Sequence, residues 1–232
     1  MQTWTIQLLE WVPLGVTLLR ERFRHDQLLS RSCRMRRKAL IDRYDRPGPG
    51  GRWATVHIVI CDPDGRPRAA ARDTHVNCLC AGCPHENGVI QHYTLGEVDL
   101  AAGPTSCDFS RLVVDDSCED LGLGQAVTAL GVRLAMLMPR VMMFHAVVWE
   151  ENAASCEILR RVGLQNVEAS RRRFSYDVPG QEVPVLQMKC ALRKDAVEEQ
   201  VRNLWCYALR KLSAHGIELR PASSKEEMLI EV

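Results

Sequence analysis

The stretch "EDLGLGQAVTALG", residues 119–131, decides how this chain is read. It follows an apolar, strand-like run and opens a helical pattern, so Gly122 and Gly124 let backbone N–H groups turn toward an anion at the positive end of a helix. Thirty residues on, "WEENAASCEILRRVGLQ" (149–165) sets Asn152 at a second helix start after a strand. That helix is predicted to end at Gly163, where a left-handed cap fits. Two strand-to-helix turns in this order predict an α/β core.

Working outward, the spacing predicts a strand over 108–115, a helix over 122–138, a strand over 141–149 and a helix over 152–162. Strands near 165–177 and 184–192 follow, joined by "VPGQ". Upstream, "WATVHIVICD" (53–62) and "RPRAAARDTHV" (66–76) flank the turn signal "DPDG" and read as an antiparallel hairpin. A short strand over 3–9 and a helix over 14–31 precede them. Residues 77–106 show no period and read as one long loop. In the tail, 194–213 puts Val197, Val201, Leu204, Trp205, Ala208 and Leu212 on one helical face, and the last twenty residues are expected to fray. One domain over 1–193 is expected, with 194–232 as a C-terminal helix and flexible tail packed on it.

A chain of 232 residues with 46% hydrophobic and 25% charged residues has ample core for a globular protein. Its net charge of +1 gives no global pull toward nucleic acid, although between Arg20 and Arg72 fourteen Lys or Arg stand against six Asp or Glu. Glu10 and Pro13 interrupt the apolar N-terminus and no basic residue precedes it, so neither a secretory signal nor a membrane span is expected. With no export signal, the ten cysteines read as reduced thiols of a cytoplasmic protein, with Cys61, Cys156 and Cys190 as small core hydrophobes.

The glycine loop followed by the Asn-containing segment resembles the GNAT acyltransferase superfamily. That resemblance implies a central mixed, mostly antiparallel twisted sheet flanked by helices, with the loop gripping the pyrophosphate of coenzyme A. Glu119 stands where such enzymes usually carry Gln or Arg, and a carboxylate there repels pyrophosphate. A narrower match spans the first 115 positions: Arg20 and Phe23, then Asp42 and Asp45 in "IDRYD", then Arg72 in "DGRPRAAAR", then Asp108 and Arg111 in "CDFSRLVVDD". In order and in most spacings these resemble the LuxI-type acyl-homoserine-lactone synthases. The chain departs from them in the tighter Arg20–Phe23 spacing, a missing Trp, and Asp108 in place of Glu.

The resemblance implies an acyltransferase that makes an N-acyl-homoserine lactone from S-adenosylmethionine and an acyl thioester, releasing methylthioadenosine. It assigns Asp108, Asp45 and Arg72 to catalysis and Arg20, Phe23, Asp42, Ser110 and Arg111 to substrate binding. A carboxylate at 108 can take the amine proton, directly or through water. Asp42 and Asp45 oppose the sulfonium and ammonium charges, while Arg72 or Arg111 holds a carboxylate. The acyl donor is acyl carrier protein or acyl-coenzyme A, and no permanently bound cofactor is expected. Arg36, Arg37, Lys38, Arg160, Arg161, Arg171 and Arg172 are basic docking candidates for an acidic carrier. The alternative is another GNAT-type N-acyltransferase acting on a different amine, and a third reading is a degenerate member that only binds partners.

Other groups are weighed as structure. Asp42 and Asp45 by themselves are also what a solvated helix end looks like, and a salt bridge to Arg111 would be purely structural. Cys78, Cys80, Cys83 and His85 crowd four ligands into eight residues, which closes a tetrahedral metal site poorly, so no metal is expected there. His145 in "MMFHAVV" reads as a core histidine.

Overall fold

The computed structural model describes residues 1–21, 45, 54–78, 95–96, 106–138, 140–149, 152–166, 172–175, 182–192 and 195–230. Strand β1 (Gln2–Leu9) turns Trp4 and Ile6 inward. The Pro13 carbonyl then accepts the N–H groups of Val16 and Thr17 and starts a helix, α1, described over 14–21. Strands β2 (Ala54–Cys61) and β3 (Pro67–Cys78) form the expected hairpin. Asp62 holds its turn: Oδ1 accepts the N–H of Asp64 at 3.0 Å and of Arg66 at 2.9 Å, and Gly65 takes a φ of 74°, open to glycine without strain.

A two-residue strand, β4 (Leu95–Gly96), pairs with Asn77 and Cys78. Part of the expected 77–106 loop is therefore strand-paired, and a pair of residues is too short to show any period. Next come β5 (Ser106–Val114), a 3₁₀ turn at Asp116–Cys118, α2 (Leu123–Leu137), β6 (Met143–Trp149) and α3 (Ala153–Arg161). The chain continues through β7 (Gln165–Asn166), β8 (Arg172–Ser175), β9 (Glu182–Ala191), α4 (Asp195–Ala214), β10 (Ile217–Pro221) and α5 (Ser224–Ile230).

All ten strands join one mixed sheet in the order β10-β1-β2-β3-β5-β6-β9-β7, with β4 on β3 and β8 on β9. Two pairings are parallel, β1 with β10 and β5 with β6; the rest are antiparallel. The frayed tail expected from sequence is not what forms, because Ile217–Pro221 adds β10 beside β1. Glu226 of α5, itself buried, pins that end: its carboxylate accepts the N–H groups of Leu8 at 3.0 Å and Ser223 at 2.9 Å. Burial would raise the Glu226 carboxyl, yet these hydrogen bonds hold it below its usual value.

Pleating gives the sheet two unlike faces. On one, α1 packs Val16 and Leu19 against Val59, Cys61, Ala70 and Val113 in a small cluster. On the other, α2 lies over β2, β3 and β5, α3 over β6, and α4 over α2 and α3, enclosing the main core. The six α4 residues predicted to face inward are all buried there. Each buried Leu, Ile or Phe contributes about 1.5–3 kcal/mol over exposure, so this larger face dominates stability. Cys61, Cys156 and Cys190 are buried and unbridged, as expected. Among the described residues no helix is long and apolar enough to cross a membrane.

Candidate functional site

Alternation along β3 sends Ala70, Arg72 and Thr74 to the α1 face, and β2 and β5 add His57 and Ser110 beside them. Asp45 reaches the same place and is fully buried. One of its oxygens, Oδ1, accepts from Arg20 Nη1 at 3.0 Å and from Arg72 Nη1 at 3.3 Å, while Arg72 Nε donates to the Ser110 hydroxyl at 3.2 Å. Arg20 and Arg72 are themselves buried. Two guanidiniums thus share a carboxylate away from water, where their hydrogen bonds and opposite charge offset the cost of desolvation.

His57 closes the cluster. Its Nε2–H donates to the Asp45 carbonyl at 3.1 Å, which fixes the tautomer and leaves Nδ1, a buried nitrogen, with no hydrogen-bond partner among the described residues. Burial, with Arg20 and Arg72 adding to it, lowers the imidazole pKa to about 4 against the opposing pull of Asp45, so His57 is neutral at neutral pH. Burial likewise lowers Arg20; Asp45 counters this, and Arg111 and Arg72 reinforce it.

The second part of the geometry lies along β5. Arg72 pairs with Ser110 but Ala70 with Val113, so Arg111 and Leu112 stand against the single residue Ala71. This is a β-bulge, and Arg111 takes a left-handed φ of 60°, a conformation that costs an ordinary side chain energy and persists where surrounding structure enforces it. At the same level β5 and β6 part. They are paired in parallel only from Ser106↔Met143 to Phe109↔Ala146, after which β6 continues against β9 alone. A crevice between the carboxyl ends of two parallel strands is where open α/β sheets place ligands.

Two helix starts face that end of the sheet. Asn152 caps α3, its side chain accepting the Ser155 N–H at 3.1 Å, and Gly163 ends the same helix at a φ of 86°. Gly122 precedes α2 with a φ of 98°, and a Cβ there would sit 3.2 Å from the Ala208 carbonyl oxygen of α4. Glycine is required at this turn on both counts. The first turn of α2 leaves N–H groups without intrahelical acceptors, the usual anion cradle. Glu119 and Asp120 lie exposed just before it, and Lys211 of α4 reaches in to donate to the Asp120 carbonyl at 2.9 Å.

Of the residues singled out in sequence, Arg20, Asp45, Arg72 and Ser110 are brought into one hydrogen-bonded group, and Arg111 lies close enough to act electrostatically on Arg20. Asp108 is on the same face one pleat step from Ser110, in register with Thr74 and His145, which is buried. Arg160 and Arg161 are exposed at the end of α3, where Arg161 Nε bonds Glu157 at 3.0 Å and the guanidinium stacks 5.5 Å from the Tyr207 ring. Phe23, Asp42, Arg36, Arg37, Lys38, Arg171 and the segment Cys80–His85 lie outside the described residues, as do the side chains of Cys78 and Arg172. Sequence reading missed His57 and Lys211. Nothing local marks either: His57 alternates within an apolar strand, and Lys211 meets the glycine loop only through the packing of α4.

Neither a protein-family model nor a curated protein matches the chain. Solved structures are similar to it in fold. Arabidopsis thaliana NAA60 in complex with acetyl-CoA superposes with a TM-score of 0.54 at 15% identity, covering 82% of this chain and 99% of that one. The same protein with a bisubstrate analogue gives 0.53 at 14% identity over 80% and 97%. The yncA protein of Salmonella typhimurium with its cofactor acetyl-CoA gives 0.51 at 13% identity over 82% and 96%. The chain has the GNAT-like α/β fold.

Proposed function

We propose that the protein is an N-acyltransferase that moves an acyl group from a thioester, on coenzyme A or a carrier protein, to a primary amine. The observation that carries this reading is the parting of β5 and β6 at the Arg111 bulge, between two helix starts. A thioester arm fits between the parted strands, with the β6-facing backbone of β5 aimed at its carbonyl oxygen as negative charge develops there. The phosphate end of the donor lies over the first turn of α2, where Lys211 supplies a cation beside Glu119 and Asp120.

The amine loses a proton to Asp108, directly or through water, and attacks the thioester carbon. The new N–C bond forms, the C–S bond breaks, and the thiolate leaves and takes up a proton. Arg72, locked by Asp45 and Ser110, forms a fixed wall of the acceptor side.

A narrower reading makes the amine that of S-adenosylmethionine and the product an N-acyl-homoserine lactone. The specific observation in its favour is that Arg20, Asp45, Arg72 and Ser110, named from four separate segments, hydrogen-bond to one another. In that reading Arg160 and Arg161, with the other basic candidates, dock an acidic carrier and binding weakens with salt. Purified protein is incubated with acyl-coenzyme A and acyl-carrier donors, each with S-adenosylmethionine or a panel of amino acids and polyamines. Thiol release that requires an amine supports the proposal. Methylthioadenosine with an acyl lactone selects the narrower reading, acylated amine without it selects the broader one, and no thiol release across the panel sinks both.

A further inference from the structure

The other face of β3 carries a second group of polar side chains that the proposed chemistry does not use. Asp73 and His75 are two apart on β3 and share a face; Cys107 of β5 is directly opposite His75. All three are fully buried, and their donor atoms lie within 4.8 Å of one another. Among the described residues, neither oxygen of Asp73 and neither nitrogen of His75 has a hydrogen-bond partner. The Cys107 thiol interacts with the Asp73 carboxyl but falls short of hydrogen-bond geometry, as a weak donor often does. Helix α2 passes directly over the group at Gly131, where a Cβ would lie 3.2 Å from Asp73 Oδ1 and 2.8 Å from the Phe109 ring.

Buried polar side chains in folded proteins are almost always satisfied, so four orphaned atoms at one point call for a ligand. The chemistry of the three donors specifies which. A thiolate, an imidazole and a carboxylate are the borderline-soft set that selects Zn²⁺-like ions. A divalent ion with one thiolate, one carboxylate and one neutral imidazole makes a group of zero net charge, which suits a dry interior. Tetrahedral bonds of about 2.0–2.3 Å put ligand atoms about 3.3–3.8 Å apart, so a bound ion draws the donors, now within 4.8 Å of one another, closer by about 1 Å. Without an ion, burial raises Asp73 well above its usual range, lowers His75 to about 4 and raises Cys107, so burial disfavours the charged form of all three.

We propose that Asp73, His75 and Cys107 form a buried structural binding site for a divalent transition metal ion of the Zn²⁺ type, clamping β3 to β5 beneath α2. The site is separate from the crevice and independent of which acyl transfer the protein performs. It is tested on the full chain by metal analysis after dialysis, by cobalt substitution and by X-ray absorption of the zinc form. The expected result is one retained metal per chain, a thiolate-to-cobalt absorption band, and a zinc shell with one sulfur at about 2.3 Å and N/O ligands near 2.0 Å. The band disappears in Cys107→Ser and persists when Cys78, Cys80 and Cys83 are replaced by Ser. A chain that retains no metal and gives no cobalt band overturns the proposal. So does a zinc shell with two or more sulfurs, a measurement that needs no variant and holds even if Cys107→Ser fails to fold.

Discussion

Arg72 and Asp73 are neighbours in β3 and both are buried, but the pleat turns them into opposite circumstances. Arg72 meets Asp45 and Ser110 on the α1 face and is hydrogen-bonded at both ends of its guanidinium. Asp73, under α2, has no hydrogen-bond partner on either oxygen among the described residues. The same sheet therefore solves the problem of buried charge on one face with an internal counter-ion and leaves it open on the other. On the first face the buried charges brace one another through a shared carboxylate, while on the second the hydrogen-bond accounting leaves a vacancy that something outside the chain can fill.

Asp45→Asn tests the brace most severely. Removing the carboxylate takes from Arg20 and Arg72 the buried charge that both of them bond, and breaking a buried pair in this way costs about 3–5 kcal/mol. Urea titration should show the unfolding free energy fall by that amount, with acyl transfer lost as well. Unchanged stability with turnover abolished would recast Asp45 as a substrate-contacting group. Gly131→Ala probes the opposite face with a smaller effect. Its Cβ would come within 2.8 and 2.9 Å of the buried Phe109 ring, so the ring or the helix must shift. Overpacking of this kind costs about 1–3 kcal/mol, read as a lower thermal midpoint with the crevice residues untouched.

The two faces also differed in how well the sequence announced them. The inward face of α4 was legible because six apolar residues recur at helical spacing, and the β2–β3 turn because Asp62 and Gly65 have jobs that few residues can do. "ARDTHV" hid its geometry. Residues 72–75 are all polar, so period-two alternation could not say which of them faced a helix, and Asp73 and His75 passed as ordinary. The Arg111 bulge was equally silent, since no glycine marks a left-handed residue held there by its neighbours. Strand β10 depends on a partner more than two hundred residues away and carries no local sign of it. In contrast, Arg20, Asp45, Arg72 and Ser110 come from separate segments, with an arginine expected to hold a carboxylate, and the fold shows which of them bond to one another.

Acidification sharpens the comparison through His57. Its folded pKa of about 4 lies below the ordinary 6.5, so the unfolded chain takes up a proton first as pH falls. The stability that His57 contributes is complete above pH 6.5 and is lost progressively down to about pH 4. Asp73 runs the other way: its raised carboxyl costs stability as pH climbs out of the carboxylate range. Comparing wild type with His57→Gln cancels that opposing contribution. Over this window the slope of unfolding free energy against pH should be smaller in the variant by about one proton. Equal slopes would mean that burial does not hold His57 neutral.

The mildest change is the one that most directly contrasts the two aspartates. Asp73→Asn keeps the side chain's shape, and burial already disfavours the charged carboxylate there, so the exchange disturbs the charge balance less than at position 45. In chelator-treated protein the substitution should alter stability by no more than about 1 kcal/mol, because no hydrogen bond is lost from either oxygen. In metal-replete protein it removes an anionic ligand, and the stabilisation that added zinc gives the wild type should shrink. The identical exchange at position 45 is severe in both conditions. If Asp73→Asn proved as damaging as Asp45→Asn with chelator present, Asp73 would have to be ionised and paired within the protein, and the two faces of β3 would be alike after all.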